Sequence, residues 1–185
     1  MTYLNNRHKV FISFHHANDE YYKIRFESLM TQYEDGMISK AVQDGDIDTT
    51  LPADTIRQKI RDNYLRDSTV TVVLTGSETW KRKHIDWEIS SSLRNTKLSS
   101  RSGLIGIILP THPDYGKSYY TPGIIPPRVH DNAVCGFAKI YHWSESVLEV
   151  QQWIHEAFLR RQTVEPDNSY PNYVNNRPAY STSWK

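Results

Sequence analysis

The stretch TVTVVL at residues 69–74 constrains this chain more than any other. It is β-branched and nearly all apolar, without the polar alternation of a strand that shows one face to water. Such a strand is buried on both sides, as in parallel sheets covered by helices. LIGIIL at 104–109 repeats the pattern. A short strand, KVFISF at 9–14, precedes both and runs into His15 and His16. Met37–Lys40 and Ala138–Tyr141 read as weaker strands.

Helical stripes lie between these strands. Tyr22, Phe26, Leu29, Met30 and Tyr33 recur at the spacing of one helix face, with Asp19 and Glu20 at its head and Gly36 as its stop. Pro52 opens a second helix that carries Ala53, Ile56, Ile60 and Tyr64. A third carries Ile85, Ile89, Leu93 and Thr96. Ser146 and Glu149 have the spacing of a capping box ahead of Val147, Val150, Ile154 and Phe158. Residues 43–50, QDGDIDTT, form an acidic, turn-rich loop. Their alternate acids Asp44, Asp46 and Asp48 suggest a calcium loop, but Thr55 stands where its closing glutamate would be, so they read as solvated. Residues 110–137 show no period: either they cover something or they hide short elements.

Alternation of strand and helix predicts an α/β fold, flavodoxin-like, with a central parallel sheet of about five strands and helices on both faces. One domain is expected over 1–162, with 163–185 as an extended or disordered tail. In such sheets ligands bind beyond the carboxyl ends of the strands. That rule gathers Phe14, Leu74, the 43–50 loop, Gly76, Ser77 and the helix bearing Glu88 on one rim.

Other chemistries are set aside. The chain has neither phosphate-loop glycine pattern, no G-x-S-x-G elbow and no HExxH or Cys-His zinc spacing. Phe14-His15-His16 follows the first strand where a phospho-receiver would carry paired acids. A net charge of +1 gives no electrostatic footprint for nucleic acid or membrane. No apolar run is long enough to span a bilayer, and MTYLNNRHKVF lacks a signal-peptide core. Cys135 is the only cysteine. A reducing, cytoplasmic setting is therefore expected.

Glu88 has two readings. It is a dipole-friendly acid in the first turns of a helix, or it is held there for chemistry. In the second reading a helix start would keep it ionised, and an ionised carboxylate stabilises a sugar that turns cationic. Lys81, Arg82 and Lys83 would then suit a pyrophosphate, or else form a solvated turn. Phe14 is either core or cleft lining. His15 and Ser77 are turn residues or substrate contacts, Trp80 a lid or a contact, and His84 a cap, a packing residue or a contact.

Phe11-Ile12-Ser13-Phe14-His15, the loop after the second strand and TVVLTGSETW…WEI at 71–89 resemble a TIR domain. More narrowly they resemble the TIR-like proteins of the Thoeris antiphage defence system. The resemblance covers about residues 8–109 and implies a TIR fold and an NAD+-cleaving hydrolase (NADase) activity. Glu88 would be the catalytic residue that engages the nicotinamide ribose. Phe14 and His15 would border the nicotinamide end, and Ser77 and Trp80 would lie in the loop entering the glutamate helix. Many of these enzymes carry Trp four residues before the acid; this chain has His84 there, with Trp87 beside the acid. NAD+ would be substrate, with no cofactor and no metal. The released ADP-ribose portion would become a nucleotide signal, such as a cyclic ADP-ribose, that acts on a separate effector protein in antiviral defence. A homo-oligomeric active form is expected. The alternatives are a non-catalytic TIR adaptor or self-assembly module, and a nucleotide binder without turnover.

Overall fold

A computed structural model describes residues 8–31, 39–42, 46, 48, 50–97 and 99–185. The strands are β1 (Val10–Ser13), β2 (Ser39–Lys40), β3 (Val70–Thr75), β4 (Gly103–Ile108) and β5 (Ala138–His142). They form one parallel sheet in the order β2-β1-β3-β4-β5. The helices are α1 (His16–Thr31), α2 (Ala53–Ile60), α3 (Lys83–Ser92), α4 (Pro127–Val134) and α5 (Val147–Thr163). A π-turn, Arg61–Leu65, prolongs α2.

Side chains of β1, β3 and β4 alternate between two cores. On one face Val10, Ile12, Phe14, Val72, Leu74, Ile105 and Ile107 pack against Phe26, Leu29 and Met30 of α1 and Val150 and Ile154 of α5. On the other, Val73, Leu104 and Ile108 meet Ile85 and Ile89 of α3 and Val129 of α4. Phe11 meets Ile56 and Ile60 of α2 on that same face. Burial on both faces accounts for the unbroken apolar runs in β3 and β4. From β1 the chain passes to β2 on one side and then crosses to β3 on the other. The topological switch point therefore falls between β1 and β3, where doubly wound sheets bind their ligands.

The described part of the second strand is shorter than expected, Ser39–Lys40. Tyr33, Gly36 and Met37 lie outside the described residues, as does Asp44. Asp48 is exposed, and Asp46, also exposed, accepts a hydrogen bond of 2.7 Å from Tyr64. Ser146 caps α5 as expected, its hydroxyl accepting the Glu149 amide. Of the two readings of residues 110–137, the structure favours hidden short elements. They contain a short 3-10 turn, Pro122–Ile124, and α4, started by Pro126-Pro127. Among the described residues no helix is long and apolar enough to cross a membrane.

Candidate functional site

Glu88 sits mid-way along α3, one and a half turns in rather than at the helix start. The helix is buried from Ile85 to Ser92, so the acid has no path to bulk water along its own element. It faces the carboxyl end of β1, and the Ser13 hydroxyl donates to its Oε2 at 2.5 Å. Glu88 is 5% exposed. Burial pushes its carboxyl up to about 8, and the Ser13 hydrogen bond only partly opposes this. The expectation of an acid kept ionised by a helix N-terminus is thus overturned. Below pH 8 the carboxyl holds its proton in this conformation, because desolvation outweighs a dipole felt only in the terminal turn.

The other candidate residues lie on different sides of this point. Phe14 is buried in the α1–α5 core, on the sheet face opposite Ser13 and Glu88, with its ring 4.2 Å from that of His16. His15 is buried at the head of α1, and its carbonyl accepts the Asp19 amide. It lies near enough to Glu78 to help hold that carboxyl below its usual range, behind the larger effects of Lys81 and Asn18. Ser77 is half-buried in the turn after β3, and Trp80 is buried in the 3-10 turn that leads to α3. His84 stacks on Trp87 with ring centroids 5.4 Å apart. The structure therefore brings His84 onto Trp87 at the start of α3, keeps Trp80 in the turn that leads to it, and leaves Phe14 across the sheet.

Asp19 escapes sequence reasoning. Expected only as an acid at the head of α1, it is fully buried. The hydroxyls of Thr79 and Thr111 donate to it, each at 3.3 Å. Burial raises its carboxyl to about 6 despite those two donors. Gly76 makes room for it: a Cβ there would lie 2.3 Å from Asp19 Oδ1. The Gly76 amide in turn donates to Thr79 Oγ1 at 2.8 Å. This network fixes the turn between β3 and the lead-in to α3. The available signal was an acid just beyond one strand end paired with a glycine just beyond the next.

Residues after α5 lack helix and strand, yet they form a strap across α3 and α4. Arg128, fully buried on α4, pairs with Asp86 at 2.9 Å and donates to Asn168, Tyr170 and Asn172 of the strap. Tyr173 gives its amide to Asp86 and its hydroxyl to the Trp80 carbonyl, and it accepts the Trp87 indole N–H at 2.8 Å. Asn176 accepts the Lys83 amide at the start of α3. Lys81 donates to Glu78 and to the Ala179 carbonyl, and the Lys83 ammonium lies 5.2 Å from the Trp87 ring. Lys81 and Lys83 are thus engaged by the protein itself. Among the described residues no cluster of His, Cys, Asp or Glu is arranged to hold a metal ion.

A family model described as the TIR-like domain of Thoeris protein ThsB matches residues 11–114, more than half of the chain. The match runs from Phe11 of β1 past β4 and includes Ser13, Asp19, Gly76 and Glu88. The strap lies outside it. No curated protein matches the chain.

Proposed function

The chain belongs to the Thoeris ThsB TIR-like family, and from that membership we propose that it is an NAD+-cleaving enzyme with Glu88 as its catalytic group. The observation that carries this reading is the buried carboxyl of Glu88 on Ser13, at the switch point of the sheet. Placing an acid where burial raises its pKa so far is costly, and such groups concentrate at working sites.

In the proposed reaction the bond between ribose C1′ and the nicotinamide nitrogen breaks. Its electron pair leaves with the base, so nicotinamide departs neutral and needs no general acid. Positive charge develops on C1′ and the ring oxygen, as in glycoside hydrolysis, and an ionised Glu88 stabilises it. The cationic nicotinamide ring of the substrate favours loss of the Glu88 proton, since a nearby positive charge lowers a carboxyl pKa. Ser13 remains as a donor to the carboxylate. Water, or a hydroxyl of the ADP-ribose portion, then attacks C1′ and passes its proton to the Glu88 carboxylate, whose pKa is high again once the cationic ring is gone; internal attack yields a cyclic product. Trp80, His84, His15 and Ser77 are the proposed substrate neighbours. The Lys81 ammonium is held by Glu78 and the strap and the Lys83 ammonium lies against Trp87, which gives a pyrophosphate role for these residues no support. The product is proposed to act on a separate effector in antiphage defence, with a homo-oligomer as the active form.

The adaptor reading retains one specific support. Glu88 is closed off in this conformation, while Tyr21 and Ile24 of α1 are 70% and 57% exposed. Incubation with NAD+ and mass spectrometry of the products separates the two. Wild type is expected to release nicotinamide, and Glu88→Gln to lose that release by about a hundredfold or more. Equal release by both would remove Glu88 from its role, and no release by assembled wild type would favour the adaptor.

A further inference from the structure

Glu88 reaches Ser13 only if α3 keeps its depth and rotation against the sheet, and the start of α3 is poorly secured by its own sequence. Arg82 precedes the helix and offers no side-chain cap. The missing cap comes from far along the chain, where Asn176 Oδ1 accepts the Lys83 amide at 3.0 Å. Tyr173 uses every polar group it has on this one segment: amide to Asp86 Oδ2 at 2.9 Å, carbonyl to the Trp87 indole at 2.8 Å, and hydroxyl to the Trp80 carbonyl at 3.0 Å. Arg177 donates its backbone N–H to the Lys81 carbonyl at 2.8 Å.

The two ends of this contact differ. Tyr173 is buried, beside the Arg128 hub that holds Asn168, Tyr170 and Asn172. Beyond it, Val174 and Tyr180 are 80% and 86% exposed, so the bridge is held to the lead-in of α3 by polar bonds rather than by a core. The chain is pinned again where Trp184 donates its amide to Gly123 and its indole N–H to Ile125. A bridge fixed at both ends thus touches the backbone or side chains of Trp80, Lys81, Lys83, Asp86 and Trp87, the residues that immediately precede Glu88.

We propose that Tyr173 and Asn176 are positioning residues for Glu88, acting through Trp80, Lys83, Asp86 and Trp87 to hold the first turns of α3 so that the carboxyl stays on Ser13. The inference rests on the proposed role of Glu88. It extends the working unit to residues outside the family match. Neither residue touches the reacting atoms; each restrains the element that carries the acid. The restraint matters because displacement of a catalytic group by about an ångström costs rate rather than binding.

The test uses the full chain with Tyr173→Phe and Asn176→Ala combined, and Asn176→Asp as the variant that keeps an acceptor for the Lys83 amide. Tyr173→Phe retains the ring and backbone bonds, and Asn176 is exposed, so the fold is expected to survive. The carbonyl stretching band of protonated Glu88, identified by its loss in Glu88→Gln, is titrated by infrared spectroscopy. The double variant is expected to move that midpoint down by about half a pH unit or more as water reaches the carboxyl. Its kcat for nicotinamide release is expected to fall about tenfold with KM changed less than about twofold, and Asn176→Asp is expected to match wild type in both. A Glu88 midpoint in the double variant equal to that of wild type would overturn the proposal. Lack of turnover by wild type would instead overturn the NAD+-cleaving reading, and the infrared midpoint would still decide whether the strap sets the state of Glu88.

Discussion

Burial holds the proton on Glu88, and the Ser13 hydroxyl tempers that hold. It donates to the carboxyl at 2.5 Å and opposes the upward push of burial. A donor stabilises the charged form more than the neutral one, so its loss raises the pKa further. Ser13→Ala is therefore expected to lift the Glu88 midpoint from about 8; a hydrogen bond to a charged group is worth about 1.5 kcal/mol, or about one pH unit. The same shift should appear in the pH profile of kcat/KM, which reports the free enzyme. In wild type that profile is expected to rise with pH and level off above the Glu88 midpoint. The profile of kcat, which reports the complex, should rise at lower pH because the substrate cation favours ionisation. A rate constant that falls over that range would mean that the protonated acid is the working form. Asp19 offers a contrast: it is buried too, but two threonine hydroxyls and the space left by Gly76 give it a place in the scaffold.

At the level of elements, the junction of α3, α4 and the strap is held by charge buried between helices. Arg128 and Asp86 are 1% and 3% exposed, and the remaining guanidinium donors are taken by strap carbonyls and amides. Removing one partner strands the other, which costs about 3–5 kcal/mol, whereas removing both costs far less. Arg128→Met is expected to show that loss in urea unfolding, and adding Asp86→Asn to recover more than half of it. Equal losses in the single and double variants would show that strap contacts, not the stranded carboxylate, carry the cost. This junction also explains which elements were legible in the sequence. The strands β3 and β4 and the stripes of α1, α2, α3 and α5 announce themselves because apolar residues meet apolar cores. In α4 the buried residues are Pro127, Arg128, Val129 and Asn132, so half of the inward face is polar, and eight residues behind two prolines are too short a run for a period to stand out. The strap is held by asparagine side chains and main-chain carbonyls, which leave no pattern in a sequence. The helix that carries Glu88 was legible, but the depth at which the acid lies was not. That depth follows from packing against β1, which helix spacing does not reveal, and it reversed the expected protonation state.

For the whole molecule, buried titratable groups give stability a dependence on pH whose sign follows from each shift. Glu88 is raised from 4.5 to about 8 and Asp19 from 3.8 to about 6, so in both the folded chain binds the proton more tightly than the unfolded chain. Each therefore lowers stability as pH rises between its unfolded and folded values. His8 is lowered from 6.5 to about 4 by burial, with His155 and Arg161 adding to the effect, and it acts in the opposite direction, raising stability as pH rises over that interval. Asp19 and His8 finish titrating by about pH 7.5, so Glu88 is the largest contributor among these three between pH 6.5 and 8, with the tail of the unfolded His8 titration offsetting a small part. A group of this kind costs about 1.4 kcal/mol per pH unit over its window. Wild type is therefore expected to lose about 2 kcal/mol between pH 6.5 and 8, or about 4–8 °C in Tm for a chain of this size. Glu88→Gln, which cannot ionise, is expected to be nearly flat across the same interval and more stable than wild type at pH 8. Thermal melts of the two proteins at fixed ionic strength decide the matter. A parallel fall in both would place the titrating group elsewhere, and a flat wild-type profile would mean that water already reaches Glu88 in the folded chain.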